Sequence, residues 1–115
     1  MRVKIYQIDH DKDTKGVKFM PLEYASEHGG IDPSSYKTMF YGDVEAKNLE
    51  DIFRIFNTDE IPGTHQGHSL SVSDIVEVLD DVPSVEKGCY FCDTVGFEKV
   101  DFDSSQCTDM AGKRV

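Results

Sequence analysis

The sequence predicts one small α+β domain, with about five mostly antiparallel strands and two helices packed on one face. Short segments that alternate apolar and polar residues predict the strands, and one segment with apolar residues at helical spacing predicts the longer helix. A chain of 115 residues suits a single domain. We place that domain at residues 1–102 and predict a flexible tail at 103–115, where the composition becomes polar.

The N-terminal part predicts a hairpin and a short helix. The side chains of residues 2–8 would alternate between two faces, and many are β-branched or aromatic, which favours a strand. A polar turn follows, and residues 17–20 are predicted as the second strand of the hairpin. Proline at position 21 suits the start of a helix over residues 21–27, and the glycines at 29 and 30 end it.

The next part predicts a strand and the longer helix. Residues 36–41 alternate and are rich in aromatic side chains, which indicates a strand. The helix over residues 49–56 has Asn48 as its N-cap. It has apolar side chains at i, i+3, i+4 and i+7, namely Leu49, Ile52, Phe53 and Phe56.

The C-terminal part predicts a long loop and a second hairpin. Residues 57–73 lack periodicity, and a loop of this length in a small domain is often functional. Residues 74–79 and 89–95 predict the strands of the hairpin, the latter extending towards position 100.

The acidic charge is concentrated in one segment. Residues 59–109 carry twelve acidic side chains and two basic ones, Lys87 and Lys99, a charge of −10 that equals the net charge of the whole chain. A field of one sign attracts partners of the opposite sign and repels those of the same sign. We therefore expect no binding of naked DNA or RNA, and we predict a basic, nucleic-acid-binding protein as the partner.

The candidate partner-binding residues are carboxylates of this segment, which would take the place of phosphates in a basic channel. Because neighbouring residues of a strand point to opposite faces, they cannot all lie on one face. They are Asp74, Glu77, Asp80, Asp81, Glu86, Asp93, Glu98, Asp101 and Asp103.

No motif specifies a metal, a cofactor or a catalytic centre. Cys89 and Cys92 form a CxxC, but residues three apart on a strand point to opposite faces, so we interpret them as buried structural cysteines. His65 and His68 would complete four zinc ligands with them, but the order and spacing fit no standard zinc finger. Alternatively, His65 or His68 beside Asp74 or Asp93 would form the general acid and base of a small ribonuclease.

The sequence also predicts a cytoplasmic protein. No apolar run approaches the roughly 20 residues that a membrane helix needs. The first residues lack the features of a signal peptide, and three cysteines, an odd number, fit reduced thiols.

Four segments resemble the YodL-like domain family and together cover most of residues 2–102. They are VKIYQI, LEDIFRIFN, GHSLSVSDIVEV and CYFCDTVGFEKV, the last with an Asp-x-x-Gly-Phe turn. The family consists of small proteins and domains encoded on bacterial plasmids, conjugative elements and phages, often near antirestriction genes. The resemblance implies a context in mobile DNA and carries over no catalytic residues. In size and charge the chain is similar to small acidic proteins of such elements that act as anti-CRISPR inhibitors of the guide-RNA-dependent nuclease Cas9.

We therefore expect a non-enzymatic inhibitor that binds a basic surface of a host defence nuclease and blocks guide-RNA loading or DNA engagement. Cas9 is the leading candidate for that nuclease. The enzyme alternative is a small nuclease that acts on guide RNA through His65 and His68. A third alternative is a non-catalytic regulatory module of conjugation. No cofactor is expected.

Overall fold

A computed structural model describes residues 1–109, and a five-stranded sheet forms its centre. The strands are β1 (Arg2–Ile8), β2 (Tyr36–Asp43), β3 (Ile75–Val78), β4 (Gly88–Cys92) and β5 (Phe97–Val100). Their spatial order is β2-β1-β3-β4-β5, and every neighbouring pair is antiparallel. The helices are α1 (Leu22–Glu27) and α2 (Leu49–Ile55). The α+β class with a five-stranded antiparallel sheet and two helices is thus confirmed.

The predicted N-terminal hairpin is wrong. β1 pairs with β2 on one side and with β3 on the other, whereas residues 17–20 form no strand. The Asp13 carboxylate accepts hydrogen bonds from the backbone amides of Val17 and Lys18 at 2.9 and 3.0 Å, and Phe19 has a φ of 67°. These bonds compete with sheet pairing and hold the segment in a turn.

The last predicted strand divides into two at the Asp-x-x-Gly-Phe turn. The Asp93 amide donates to the Gly96 carbonyl at 3.0 Å, which closes a tight connection between β4 and β5. Gly96 has a φ of 71°, a conformation that favours glycine. The fifth strand of the sheet therefore comes from this hairpin and not from residues 17–20.

Both helices begin close to their predicted positions. The Asn48 side chain accepts a hydrogen bond from the Asp51 amide at 2.8 Å and so caps α2. Pro21 is the N-cap of α1, and the Gly30 amide donates to the Ala25 carbonyl at 2.8 Å beyond its end. Within residues 1–109, neither helix nor any other has the length and apolar character needed to cross a bilayer.

The sheet is covered on both faces, because successive strand residues point to opposite sides. One cluster packs α2 against the sheet and contains Leu49, Ile52 and Ile55 together with Val3, Ile5, Val76 and Val78. The opposite cluster contains Tyr6, Ile8, Tyr36, Ile75 and Phe91, and Leu22 of α1 packs against it. The two helices therefore contribute to opposite faces, unlike the expected packing on one face.

The first part of the predicted tail is packed into the domain. A short 3-10 turn, Ser104–Gln106, leads to Cys107, which is fully buried. The Thr38 amide of β2 donates to the Thr108 carbonyl at 2.9 Å, and the Thr108 amide donates to the Tyr36 carbonyl at 3.2 Å. Thr108 therefore pairs with the edge at β2. The rest of the predicted tail, 110–115, lies outside the described residues.

Candidate partner-binding surface

The nine candidate carboxylates are spread over different parts of the domain. Three lie in the connection between β3 and β4, namely Asp80, Asp81 and Glu86, whereas Asp93 lies at the opposite end of β4. By strand register, Glu77 and Glu98 lie on the sheet face of Tyr6. Asp101 and Asp103 follow β5. The structure therefore does not bring the nine side chains together into one acidic face.

Asp74 has to be removed from the candidate contact residues, because it is only 1% exposed. Its Oδ2 accepts hydrogen bonds from Gln7 Nε2 at 2.9 Å and from the Ser71 amide at 2.7 Å. Burial raises the pKa of Asp74 to about 8, although both hydrogen bonds oppose that shift. Asp74 thus fixes the loop corner before β3 and does not face a partner.

Two of the remaining carboxylates form ion pairs at the surface. Lys87 Nζ lies 3.9 Å from Asp81, and Lys99 Nζ lies 3.1 Å from Glu86. Exposed pairs of this kind contribute little to stability. They do, however, occupy both basic side chains of the acidic segment.

Other carboxylates accept internal hydrogen bonds. Glu77 accepts one from the Tyr6 hydroxyl at 2.5 Å, and burial together with this bond raises the pKa of Tyr6 above its usual range. Asp103 accepts from the hydroxyl and the amide of Ser105 at 2.6 and 3.1 Å, and the hydroxyl contact is the main cause that lowers the pKa of Asp103. Asp80 accepts from the Arg2 amide at 3.1 Å.

Glu98 and Asp101 are the candidates with the freest side chains. Both are exposed, and neither has an ion pair or a side-chain hydrogen bond within residues 1–109. In the sequence they lie on either side of Lys99, whose ammonium group pairs with Glu86. Of the predicted contact residues, these two are therefore the most available to a cation on another molecule.

The two loop histidines are bound to backbone carbonyls. His65 Nε2 lies 2.8 Å from the His68 carbonyl, and His68 Nδ1 lies 2.7 Å from the Ser69 carbonyl. Burial lowers the pKa of both rings, which favours their neutral forms at neutral pH. No hydrogen bond or ion pair in the described part of the chain joins either ring to Asp74 or Asp93. His68 Nδ1 and Asp74 Oδ2 instead share Gln7 Nε2, at 3.3 and 2.9 Å, so within residues 1–109 this ring and this carboxylate are joined through an intervening amide group.

The CxxC cysteines point to opposite faces of β4, as predicted. Cys89 belongs to the cluster of Tyr6, and Cys92 to the cluster of α2; both thiols are free and buried. Burial raises the pKa of each to about 12, so the reactive thiolate is scarce at neutral pH. Residues 1–109 contain no group of three or more side chains placed to hold a metal ion.

Sequence reasoning missed a groove between α2 and the β4–β5 turn, which we call the acid-rimmed groove. Its volume is about 410 Å³. Its apolar lining includes Phe53, Val72, Cys92 and Phe97, and its two charged residues, Glu50 and Asp93, are both acidic. The signal in the sequence is that residues 49–56 contain five apolar side chains, more than one core-facing stripe needs.

The antiparallel sheet with its two helices places this chain among small α+β domains. The chain belongs to the YodL-like domain family, whose family model matches residues 2–102. The matched range includes all five strands and both helices, so the family pattern spans the whole sheet. Neither a curated protein nor a solved structure matches the chain.

Proposed function

We propose that this chain is a non-enzymatic inhibitor encoded by a mobile element, which binds a basic surface of a host defence nuclease. The observation that supports this proposal is the uncompensated charge of residues 59–109. That segment has twelve acidic side chains against Lys87 and Lys99, and both of these bases are already paired with acids of the segment. Asp74 of this segment is buried, and Glu60 pairs with Arg54. The charge available to a partner therefore comes from exposed carboxylates such as Glu98 and Asp101.

A guide-RNA-dependent nuclease is a suitable target because it holds RNA and DNA in positively charged channels. An acidic domain is steered to such a channel, and salt weakens that attraction. Cas9 is the first nuclease to test, since the family occurs on mobile elements, often near antirestriction genes. Binding there would block guide-RNA loading or DNA engagement.

Glu98 and Asp101 are the contact residues that we propose first, because their side chains are exposed and carry no internal partner within residues 1–109. The double variant Glu98→Lys/Asp101→Lys reverses both charges. A matched control is Asp11→Lys/Glu27→Lys, which changes the net charge equally at two exposed acids of the N-terminal half.

The experiment measures binding to purified Cas9, with and without guide RNA, together with inhibition of DNA cleavage. We expect a complex that weakens as salt rises from roughly 50 to 200 mM. The Glu98/Asp101 variant should bind about tenfold more weakly or worse, while the control stays close to wild type. Absence of any complex with Cas9 or with other basic nucleases would contradict the proposal, and equal losses in both variants would contradict the assigned surface.

The same incubation also tests the enzyme alternative. Guide RNA should be recovered at full length after prolonged contact with stoichiometric protein. Shortened RNA that depends on His65 or His68 would instead favour the nuclease.

A further inference from the structure

We propose that the acid-rimmed groove anchors an apolar side chain of the partner, and that a neighbouring Lys or Arg of the partner pairs with Glu50 and Asp93. This inference rests on the proposed function for the nature of the partner, a basic protein. It adds a specific apolar contact to an association otherwise argued from charge.

The exposure of Phe53 is the first observation that supports the groove. Ile52 of the same helix and Phe56, its C-cap residue, are fully buried, whereas Phe53 remains 43% exposed beside the groove. Val95, at the tip of the neighbouring turn, is 92% exposed. Aromatic side chains at a pocket of this kind often carry a large share of binding energy. Phe53 thus has a surface that the core does not use.

The dimensions of the groove fit one or two side chains. Its volume of about 410 Å³ lies near the lower end of the range for ligand sites, roughly 300–1,000 Å³. Cys92 lines the groove and is 1% exposed, and burial keeps its thiol in the neutral form by raising its pKa. The interior is therefore uncharged and suited to an apolar group.

Glu50 supplies the first free carboxylate at the rim. Arg54, one turn further along α2, lies 4.0 Å from Asp51 and 2.6 Å from Glu60, and its guanidinium is engaged there. Glu50 itself has no ion pair or side-chain hydrogen bond within residues 1–109. Its charge is thus available to a cation from outside the chain.

Asp93 supplies the second carboxylate at the rim. Its Oδ1 accepts hydrogen bonds from the amides of Thr94 and Leu22 at 2.8 and 3.4 Å, and these fix the side chain in place. Its Oδ2 accepts no hydrogen bond in the described part of the chain. No basic residue lines the groove, so Lys or Arg is the complementary charge in a partner.

Charge also argues against a second copy of this chain as the occupant. Each copy has a net charge of −10, and a symmetric contact would bring two acidic rims together. A basic segment that carries an exposed Leu, Phe or similar side chain satisfies both the apolar interior and the acidic rim.

Two capped peptides of equal charge test this inference directly by NMR titration of the ¹⁵N-labelled full chain. The first is Arg-Lys-Leu-Phe-Lys-Arg, and the second is Arg-Lys-Gly-Ser-Lys-Arg. We expect the Leu-Phe peptide to bind about tenfold more tightly and to shift the amides of Phe53, Val72 and Gly96. Equal affinities, or shifts confined to other surfaces, would overturn the inference.

Matched variants separate the apolar and charged parts of the contact. Phe53→Ser and Glu50→Gln should each weaken binding of the Leu-Phe peptide about fivefold or more. Glu23→Gln is the control for Glu50→Gln, since each is the exposed second residue of its helix and meets a similar helix dipole. This control should bind as wild type does. An equal loss in Glu23→Gln would overturn the role of Glu50.

Thr94→Trp provides a second route if Phe53→Ser fails to fold. Thr94 is exposed and lines the groove, so an indole there fills the site without entering the core. Folding of each variant is checked by its thermal melt, and loss of peptide binding in folded Thr94→Trp is expected. Retention of full affinity by that variant would count against the groove. A concentration-dependent dimer that Phe53→Ser abolishes would assign the groove to a second copy and overturn the inference.

Failure of the groove and failure of the proposed function give different results. If Cas9 binds wild type and Phe53→Ser equally well, the groove inference is wrong while the inhibitor proposal stands. If the Leu-Phe peptide occupies the groove but no basic nuclease binds the chain, the inhibitor proposal is wrong while the groove stands.

Discussion

Gln7 and Asp74 are joined by a buried hydrogen bond of 2.9 Å, from Gln7 Nε2 to Asp74 Oδ2. The same glutamine accepts a bond from the His68 amide through Oε1 at 3.2 Å. One side chain of β1 therefore holds both ends of the segment from His68 to Asp74 against the sheet. The segment GHSLSVSDIVEV, which resembles the YodL-like family, thus includes a structural corner that leads into β3.

We predict that Asp74→Asn reduces the pH dependence of stability. Burial raises the pKa of Asp74 from its ordinary value of 3.8 to about 8 in the folded state. The folded state therefore holds this proton more tightly than the unfolded state, and its stability falls as the pH rises from about 4 to about 8. Between about pH 5 and about pH 8, the wild-type Tm should fall by roughly 10 °C or more beyond the fall seen in the variant.

The comparison with the variant isolates Asp74 from the histidines. Burial lowers the pKa of His65 and His68, so the unfolded state takes up their protons first and stability rises with pH until about 6.5. Both histidines are present in both proteins, and their contribution cancels in the difference. Identical pH profiles for wild type and Asp74→Asn would contradict the prediction.

Gly67→Ala should destabilise the domain much more than Gly63→Ala in the same loop. A Cβ at position 67 would overlap Gln7 Oε1 and lie 2.9 Å from Met39 Cγ, whereas a Cβ at position 63 meets nothing within 4 Å. Gln7 cannot move away without breaking its own hydrogen bonds. Urea unfolding should give a loss of about 2 kcal/mol or more at position 67, and less than about 1 kcal/mol at position 63. Similar losses of stability at both positions would contradict this prediction, because they would show that the Gln7 side chain moves away from the new Cβ at little cost.

The parts of the fold that could be predicted from the sequence have local signals. The alternation of side chains in residues 2–8 predicts β1. The N-cap residue Asn48, together with the helical spacing of the apolar residues after it, predicts α2. The partner of β1 could not be predicted in this way, because β1 pairs with residues 36–43 and 75–78, far away in the sequence. The nearer segment at 17–20 alternates well enough, but side-chain bonds from Asp13 keep it in a turn.

The candidate site was less predictable because it depends on tertiary contacts. Asp74 belongs to an acidic segment by composition, but it is buried and hydrogen-bonded to Gln7, which lies 67 positions earlier. Phe53 fits the helical stripe of α2, yet Ile55 takes a buried position and Phe53 borders the groove. Helical spacing alone does not show where the edge of a covered face falls.

Alanine substitutions at Phe53 and Phe56 should therefore have very different effects on stability. Phe56 is fully buried and packs edge-on against Phe40 with ring centroids 5.2 Å apart. Its removal leaves a cavity and should cost about 3–5 kcal/mol. Phe53 is 43% exposed, and its removal should cost roughly 1 kcal/mol. The free energies of unfolding from urea titrations check this, and comparable losses would show that Phe53 supports the core and is not reserved for a partner.

The three cysteines should be unreactive in the folded protein. Cys89, Cys92 and Cys107 are free and buried, and burial raises the pKa of each thiol to about 12. At about pH 8 the thiolate is then on the order of one part in ten thousand, and reagent also has no access to the sulfur atoms. With Ellman's reagent, we expect three thiols to react promptly in urea and none in the native protein until it unfolds. Prompt reaction of one native thiol would contradict this, and mass mapping would identify which face of the sheet opens to admit the reagent.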